Sequence, residues 1–226
     1  MNLLSHNQMV RIPNFPLAIL SALLFALALP NELLPLGSPL IGIFCISPFL
    51  ASIYYSRDYG HAVWIGMTFG LCFSVLSNFW LIFFQEFSVW TLGGVTFAYV
   101  AFHGLLAPVL RFVGNSVPQA YRPFAVAIIW TLYEFFKSSG FLGYPWGLIA
   151  YPAHSIVPLI QIASITGIWG LSLLMAMING IFSEWLASFL KKSRKIPKAL
   201  WQTSTLVAVI ILLAAGYGFV ELARVD

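Results

Sequence analysis

Long apolar runs dominate the chain, and short polar breaks separate them. The runs fall near residues 13–30, 39–55, 61–84, 89–113, 123–139, 156–190 and 199–220. About 20 apolar residues suffice for a helix to cross the hydrocarbon core of a bilayer. Backbone groups in lipid must be satisfied within their own segment, which a helix does. The runs are too long, and alternate too weakly, for a transmembrane barrel. The pattern predicts an all-α integral membrane protein: one domain, residues 1–226, built as a bundle of about seven transmembrane helices. The first two runs meet at Pro30-Asn31-Glu32, a tight turn. The sixth is longer than a bilayer requires, so it is expected to tilt or to project. Pro16, Pro48, Pro108 and Pro158 fall in or near the runs, where membrane helices tolerate them. Gly66 and Gly70 form a GxxxG pair suited to close helix packing.

Composition strengthens this reading. Of the 226 residues, 60% are hydrophobic and 8% are charged, against about 25% charged in soluble domains. With the N-terminus in the cytoplasm, Arg11, Arg57, Arg111, Arg122, Lys191, Lys192, Arg194, Lys195 and Lys198 all fall inside, 9 of the 11 basic residues. Only Lys137 and Arg224 then lie outside. The positive-inside rule selects this orientation, with the C-terminus periplasmic. Arg11 and Ala26-Leu27-Ala28 mimic a signal peptide, but Pro30 and immediate re-entry into a second apolar run favour an uncleaved first helix. The basic cluster at 191–198 is an ordinary juxtamembrane determinant that can also touch anionic lipid. It makes no case for nucleic acid.

Candidate chemistry is sparse. Cys45 and Cys72 lie in apolar runs, and the four histidines are scattered, so neither a disulfide nor a metal site is expected. There is no nucleophile elbow and no phosphate-cradling glycine loop. His103 sits within the fourth run, where an ionisable group is a functional candidate, although a hydrogen bond to a neighbouring helix is the better reading. One stretch is richer. Trp130-Thr-Leu-Tyr-Glu134-Phe-Phe-Lys137 leads into Gly140-Phe-Leu-Gly143-Tyr144-Pro145-Trp146-Gly147 and then Tyr151. Glu134 and Lys137 are three apart and can pair on one helix face. The loop behind them reads either as a lipid-headgroup site or as an interfacial aromatic anchor.

The order Glu134, Lys137, Gly143-Tyr144-Pro145-Trp146, Tyr151, Gln161, Gly167, Gly170, Ser172, Asn179 resembles the membrane part of bacterial apolipoprotein N-acyltransferases. Leu29-Pro30, Pro48 and Asn78-Phe79-Trp80 agree with it. Lys137 replaces the arginine usual in that family, losing the planar fork, and Ala150-Tyr151-Pro152 replaces Gly-Tyr-Ser. The resemblance implies an inner-membrane, multi-pass protein serving lipoprotein maturation. A phospholipid, usually phosphatidylethanolamine, gives an acyl chain through a cysteine thioester to the α-amine of a lipoprotein's diacylglyceryl-cysteine. It implies no cofactor. In the family a Glu-Lys-Cys set in a nitrilase-like domain performs this chemistry. The chain runs to Glu221-Leu-Ala-Arg-Val-Asp226, just past the seventh run, and is expected to be the membrane half only. No catalytic residue is assigned within it, and by itself it is expected not to acylate. The catalytic set would come from a separate nitrilase-like chain if the enzyme is split. Glu134, Lys137, Tyr144, Pro145, Trp146 and Tyr151 are the candidate lipid-binding residues. The alternatives are a small membrane transporter, or the membrane anchor of a polyprenol-phosphate glycosyltransferase.

Overall fold

The computed structural model describes residues 13–83, 88–140, 143–191 and 197–225. Arg11, Glu86 and most of the basic 191–198 cluster lie outside the described residues. All regular structure among them is helical: α1 (Asn14–Ala28), α2 (Pro39–Gly42), α3 (Ser47–Tyr54), α4 (Tyr59–Asn78), α5 (Ser88–Ser116), α6 (Arg122–Ser138), α7 (Val157–Ile160), α8 (Ala163–Thr166), α9 (Ile168–Leu190) and α10 (Lys198–Val225). Short 3-10 turns occupy Phe79–Phe83, Gln119–Tyr121 and Tyr151–Ser155. Among the described residues, four segments are long and apolar enough to cross a membrane: Tyr59–Phe83, Val89–Ser116, Ile168–Leu190 and Lys198–Arg224.

Two of the predicted runs are broken. The 39–55 run is two short helices, α2 and α3, joined by a turn at 43–46. The 156–190 run neither tilts nor projects as one rod. It divides into α7, α8 and α9, and the last break falls at Gly167, whose φ of +63° is a left-handed conformation that costs glycine little.

All eight residues of α3 are buried. This short helix is the hub against which α1, α5 and α9 pack. A helix with no lipid-facing side must be covered on every face, and α3 is. Around it, α4 lies along α5, and α6 runs against α9. The α4–α5 contact depends on the GxxxG pair. A Cβ on Gly66 would fall on the carbonyl oxygen of His103, and one on Gly70 on that of Tyr99. The two backbones therefore touch, as small-residue membrane interfaces allow. Gly70→Val is expected to lose about 1–3 kcal/mol, the usual penalty of overpacking, read as an earlier melt in detergent. An unchanged melt would mean that the two helices can move apart freely.

Buried polar knots pin the bundle at two further levels. Asn179 on α9 accepts from the Ile46 backbone N–H (2.9 Å) and donates to the Gly42 carbonyl (2.8 Å), which closes the α2–α3 break. Ser47 Oγ donates to the Asn179 carbonyl at 2.9 Å. Lower on α9, the buried Glu184 accepts from Gln119 Nε2 at 2.9 Å and lies 3.5 Å from Arg122 Nη1. At the same end Arg111 donates to the Ser56 carbonyl and, at 2.6 Å, to Ser56 Oγ. Asp58 caps α4 by accepting from the His61 backbone N–H at 2.7 Å. That bond, aided by Arg57, holds its carboxyl below the usual carboxylate range, so the cap persists at neutral pH and is lost only on strong acidification.

Candidate functional site

Helix α6 ends at Ser138, and the chain then folds back on it. The Tyr144 N–H donates to the Lys137 carbonyl (3.0 Å). From there the loop dives inward, so that Leu148, Ile149 and Ala150 are all buried. Non-helical backbone is tolerated at such depth only where protein groups satisfy it. Glu134 and Lys137 do this.

The two side chains do not pair with each other, contrary to the expectation from their spacing. Instead each takes one backbone group of the loop. Glu134, fully buried, accepts from the Ile149 N–H at 2.7 Å through Oε1. The same oxygen accepts from Trp130 Nε1 at 3.0 Å, and Oε2 accepts from Ser172 Oγ at 2.6 Å. Lys137 Nζ donates to the Trp146 carbonyl at 2.6 Å and to the Tyr99 hydroxyl at 3.3 Å. Glu134 and Lys137 are three positions apart, and so are Trp146 and Ile149. One helical turn thus presents an acceptor and a donor in register with a loop N–H and a loop C=O.

The aromatic residues complete the loop. Tyr144 donates to Asn78 Oδ1 (2.7 Å), and Trp146 Nε1 donates to the Ser77 carbonyl (3.1 Å). Trp80 meets the Trp146 ring edge-on at 5.8 Å. Tyr151 donates to the Pro145 carbonyl at 2.7 Å, closing the loop on itself. Two stretches more than 60 residues apart in sequence, 77–80 and 144–146, therefore form one wall.

Tyr99 was not singled out from sequence, yet it is central. Its hydroxyl donates to the Trp146 carbonyl at 2.7 Å. One turn away, His103 donates from Nδ1 to the Tyr99 carbonyl (2.8 Å), and its Nε2 lies 3.2 Å from the Tyr133 hydroxyl. Positions 99 and 103 on α5 thus face 133 and 137 on α6 as two polar rungs. The available signal was the matching i, i+4 spacing of polar residues on two neighbouring apolar helices. His103 is accordingly explained by one hydrogen bond within α5 and one across to α6. Glu184 was missed as well, although a lone acid in an apolar helix is expensive enough to mark a partner.

A cleft of about 430 Å³ opens beside the upper rung, lined by Gly94, Ala98, Tyr99, Lys137, Gly143 and Tyr144 among others. An ammonium has three donors. Lys137 has two oxygen acceptors and lies over the Tyr99 and Tyr133 rings at 5.0 and 5.8 Å, which leaves one N–H without an oxygen acceptor.

Residues 21–181 match the family model for the apolipoprotein N-acyltransferase N-terminal domain. The chain belongs to this family. The matched span contains every candidate residue from Glu134 to Tyr151. Among relatives, the chain is 37% identical over 211 residues to apolipoprotein N-acyltransferase 2 of Treponema pallidum, covering 90% of this chain and 36% of that protein. It is 34% identical to apolipoprotein N-acyltransferase 2 of Treponema denticola, over 78% of this chain and 33% of that one. It is 30% identical to the apolipoprotein N-acyltransferase of Borreliella burgdorferi, over 76% and 33%. The chain thus spans about a third of the length of the acyltransferases it matches. The loop and its cleft belong to the N-terminal domain of the family.

Proposed function

We propose that this chain is the membrane-embedded part of an apolipoprotein N-acyltransferase in a bacterial inner membrane. On this reading it crosses the membrane seven times, with α1, the α2–α3 pair and α6 adding short crossings to the four long ones. The N-terminus faces the cytoplasm and the C-terminus the periplasm. Its role is to hold a phospholipid donor, phosphatidylethanolamine for preference, and a diacylglyceryl-cysteine acceptor beside the 143–151 loop while an acyl chain moves from the donor's ester to the acceptor's α-amine.

The observation that carries this reading is the buried Lys137, with an N–H to spare, in the wall of the cleft. A cation with an unclaimed N–H suits a phosphate or an ester carbonyl, and the apolar α5 wall suits an acyl chain. Tyr144 lines the cleft, Trp146 anchors Lys137 through its carbonyl, Pro145 and Tyr151 fix their loop, and Glu134 holds the loop in place. The thiol that carries the acyl group is assigned outside residues 1–226, in the same polypeptide or in a separate nitrilase-like chain. In support, Cys45 is fully buried and donates to the Gly42 carbonyl, and Cys72 is half-buried in an apolar helix. Among the described residues neither has a neighbouring base to make a thiolate.

The test is labelling by a photoreactive phosphatidylethanolamine in nanodiscs. Lys137→Met is expected to lower labelling of the cleft roughly tenfold, the loss of one charge-assisted hydrogen bond. Lys137→Arg should keep it, and Ala98→Trp, which fills the cleft from the α5 side, should abolish it. Equal labelling of Ala98→Trp and wild type at matched folded protein would refute the assignment. With a nitrilase-like domain supplied in trans, unchanged acyl transfer by both Glu134→Ala and Trp146→Ala would do the same.

A further inference from the structure

A second groove lies on the α1 side of the bundle, and its charge is opposite. It has a volume of about 380 Å³ and runs between α1 and α4, walled by Leu23, Leu27, Val75, Leu76 and Phe79 with Glu32 at its edge. A small cavity of about 40 Å³ shares Asn31, Glu32, Leu76 and Phe79 with it and extends it to Trp80 and Trp146. A third, of about 180 Å³, continues from Pro30 and Trp146 to Tyr151 and His154. Together they make a track from the outer surface of α1 to the same loop that the Lys137 cleft reaches from the α5 side. Trp146 lines the track with its ring and meets Lys137 through its carbonyl.

Charge separates the two approaches. Glu32 is exposed, and no described residue hydrogen-bonds or ion-pairs with its carboxylate. Asn31 beside it is fully engaged in holding the turn, accepting from the Leu33 and Leu34 N–H groups and donating to the Leu29 carbonyl at 2.7 Å. The turn is therefore stiff, and it holds Glu32 over an apolar groove. Such a surface fits an amphiphile whose acyl chain lies along α1 and α4 and whose cationic head meets the carboxylate. The Lys137 cleft suits an anionic head by the same logic.

We infer that the α1–α4 groove is the acceptor site: it takes the diacylglyceryl-cysteine N-terminus, acyl chain against Leu27 and Leu76, free α-ammonium against Glu32. This rests on the proposed function and adds to it that donor and acceptor enter from opposite flanks of the 143–151 loop. An amine-bearing phospholipid shares the head-group charge, and the probes below separate it from the acceptor.

The experiment measures binding of a synthetic diacylated Cys-Ser-Lys-Lys lipopeptide to the chain in nanodiscs of phosphatidylglycerol, alongside its N-acetylated form and phosphatidylethanolamine. The free-amine lipopeptide is expected to bind more tightly than the N-acetylated one. Glu32→Gln should erase that preference, a change of about 2–5-fold, the size of one exposed ion pair. Leu76→Trp, which fills the groove, should abolish lipopeptide binding and spare labelling of the Lys137 cleft, whereas Ala98→Trp should do the reverse. Lipopeptide binding that Ala98→Trp removes and Leu76→Trp leaves intact would overturn the inference while the proposed function stands. Failure of the lipopeptide to bind at all, with no labelling of the cleft, would sink both. Phosphatidylethanolamine displacing the lipopeptide from the groove at equal concentration would also overturn the acceptor assignment.

Discussion

Glu134→Leu is expected to cost the bundle at least about 3 kcal/mol and to release the 143–151 loop. The side chain closes three hydrogen bonds to otherwise buried donors: the Ile149 N–H, the Trp130 indole and the Ser172 hydroxyl. Each donor left without an acceptor costs about 1–3 kcal/mol, because no water replaces the carboxylate there. Leucine is similar in size, so the loss is one of polarity and not of packing. Glu134→Gln is the control. Its carbonyl oxygen can still accept from Ile149 and Trp130, and its amide can donate to Ser172 Oγ, so it should lose only about 1 kcal/mol. Melting in detergent reads the energy, and limited proteolysis between residues 143 and 151 reads the loop. Equal melts for the leucine and glutamine variants would mean that the carboxylate does not hold the loop.

The contrast between the two variants also bears on what could be read from the sequence. The apolar runs gave helices where helices occur, because lipid or a buried core leaves the backbone no other way to satisfy itself. Breaks inside the runs were not legible. At 43–46 and at Gly167 a non-helical backbone is sustained by groups distant in sequence or by a glycine's left-handed φ, and hydropathy registers neither. Glu134 and Lys137 were found because charges in an apolar segment are conspicuous. Their bonding partners were not legible, since spacing on one helix suggests an ion pair and cannot reveal a loop that returns nine to fifteen residues later to claim both side chains. Tyr99 and Ser77 were invisible for a related reason: a tyrosine or a serine in a membrane helix is ordinary until its partner is known.

Asn179→Leu tests the other place where a side chain holds a broken backbone, and its effect should be nearly as large. The Ile46 N–H and the Gly42 carbonyl sit at the α2–α3 break, deep in the core beside the fully buried α3. Leucine would orphan the Ile46 N–H and leave the Gly42 carbonyl only the weak Cys45 thiol donor, for a total of about 2–4 kcal/mol. Asn179→Asp should be no milder, because it keeps an acceptor for Ile46 but turns an oxygen toward the Gly42 carbonyl. Ser183→Ala, one turn along the same helix and equally buried, removes only a local bond to the Gly180 carbonyl and should cost well under half as much. The break carries its own reporter. Cys45 lies within it, fully buried, with Sγ 3.3 Å from the Gly42 carbonyl. In a Cys72→Ser background, maleimide labelling of Cys45 should be slow in the parent and in Ser183→Ala, and fast in Asn179→Leu well below its melting point. Because α3 packs against α1, α5 and α9, a loosened break should also weaken the α5 wall that carries Tyr99. Asn179→Leu is therefore expected to reduce lipid labelling at the Lys137 cleft even though it touches neither side of it. Slow Cys45 labelling together with an unshifted melt would show that the α2–α3 turn is held by packing alone.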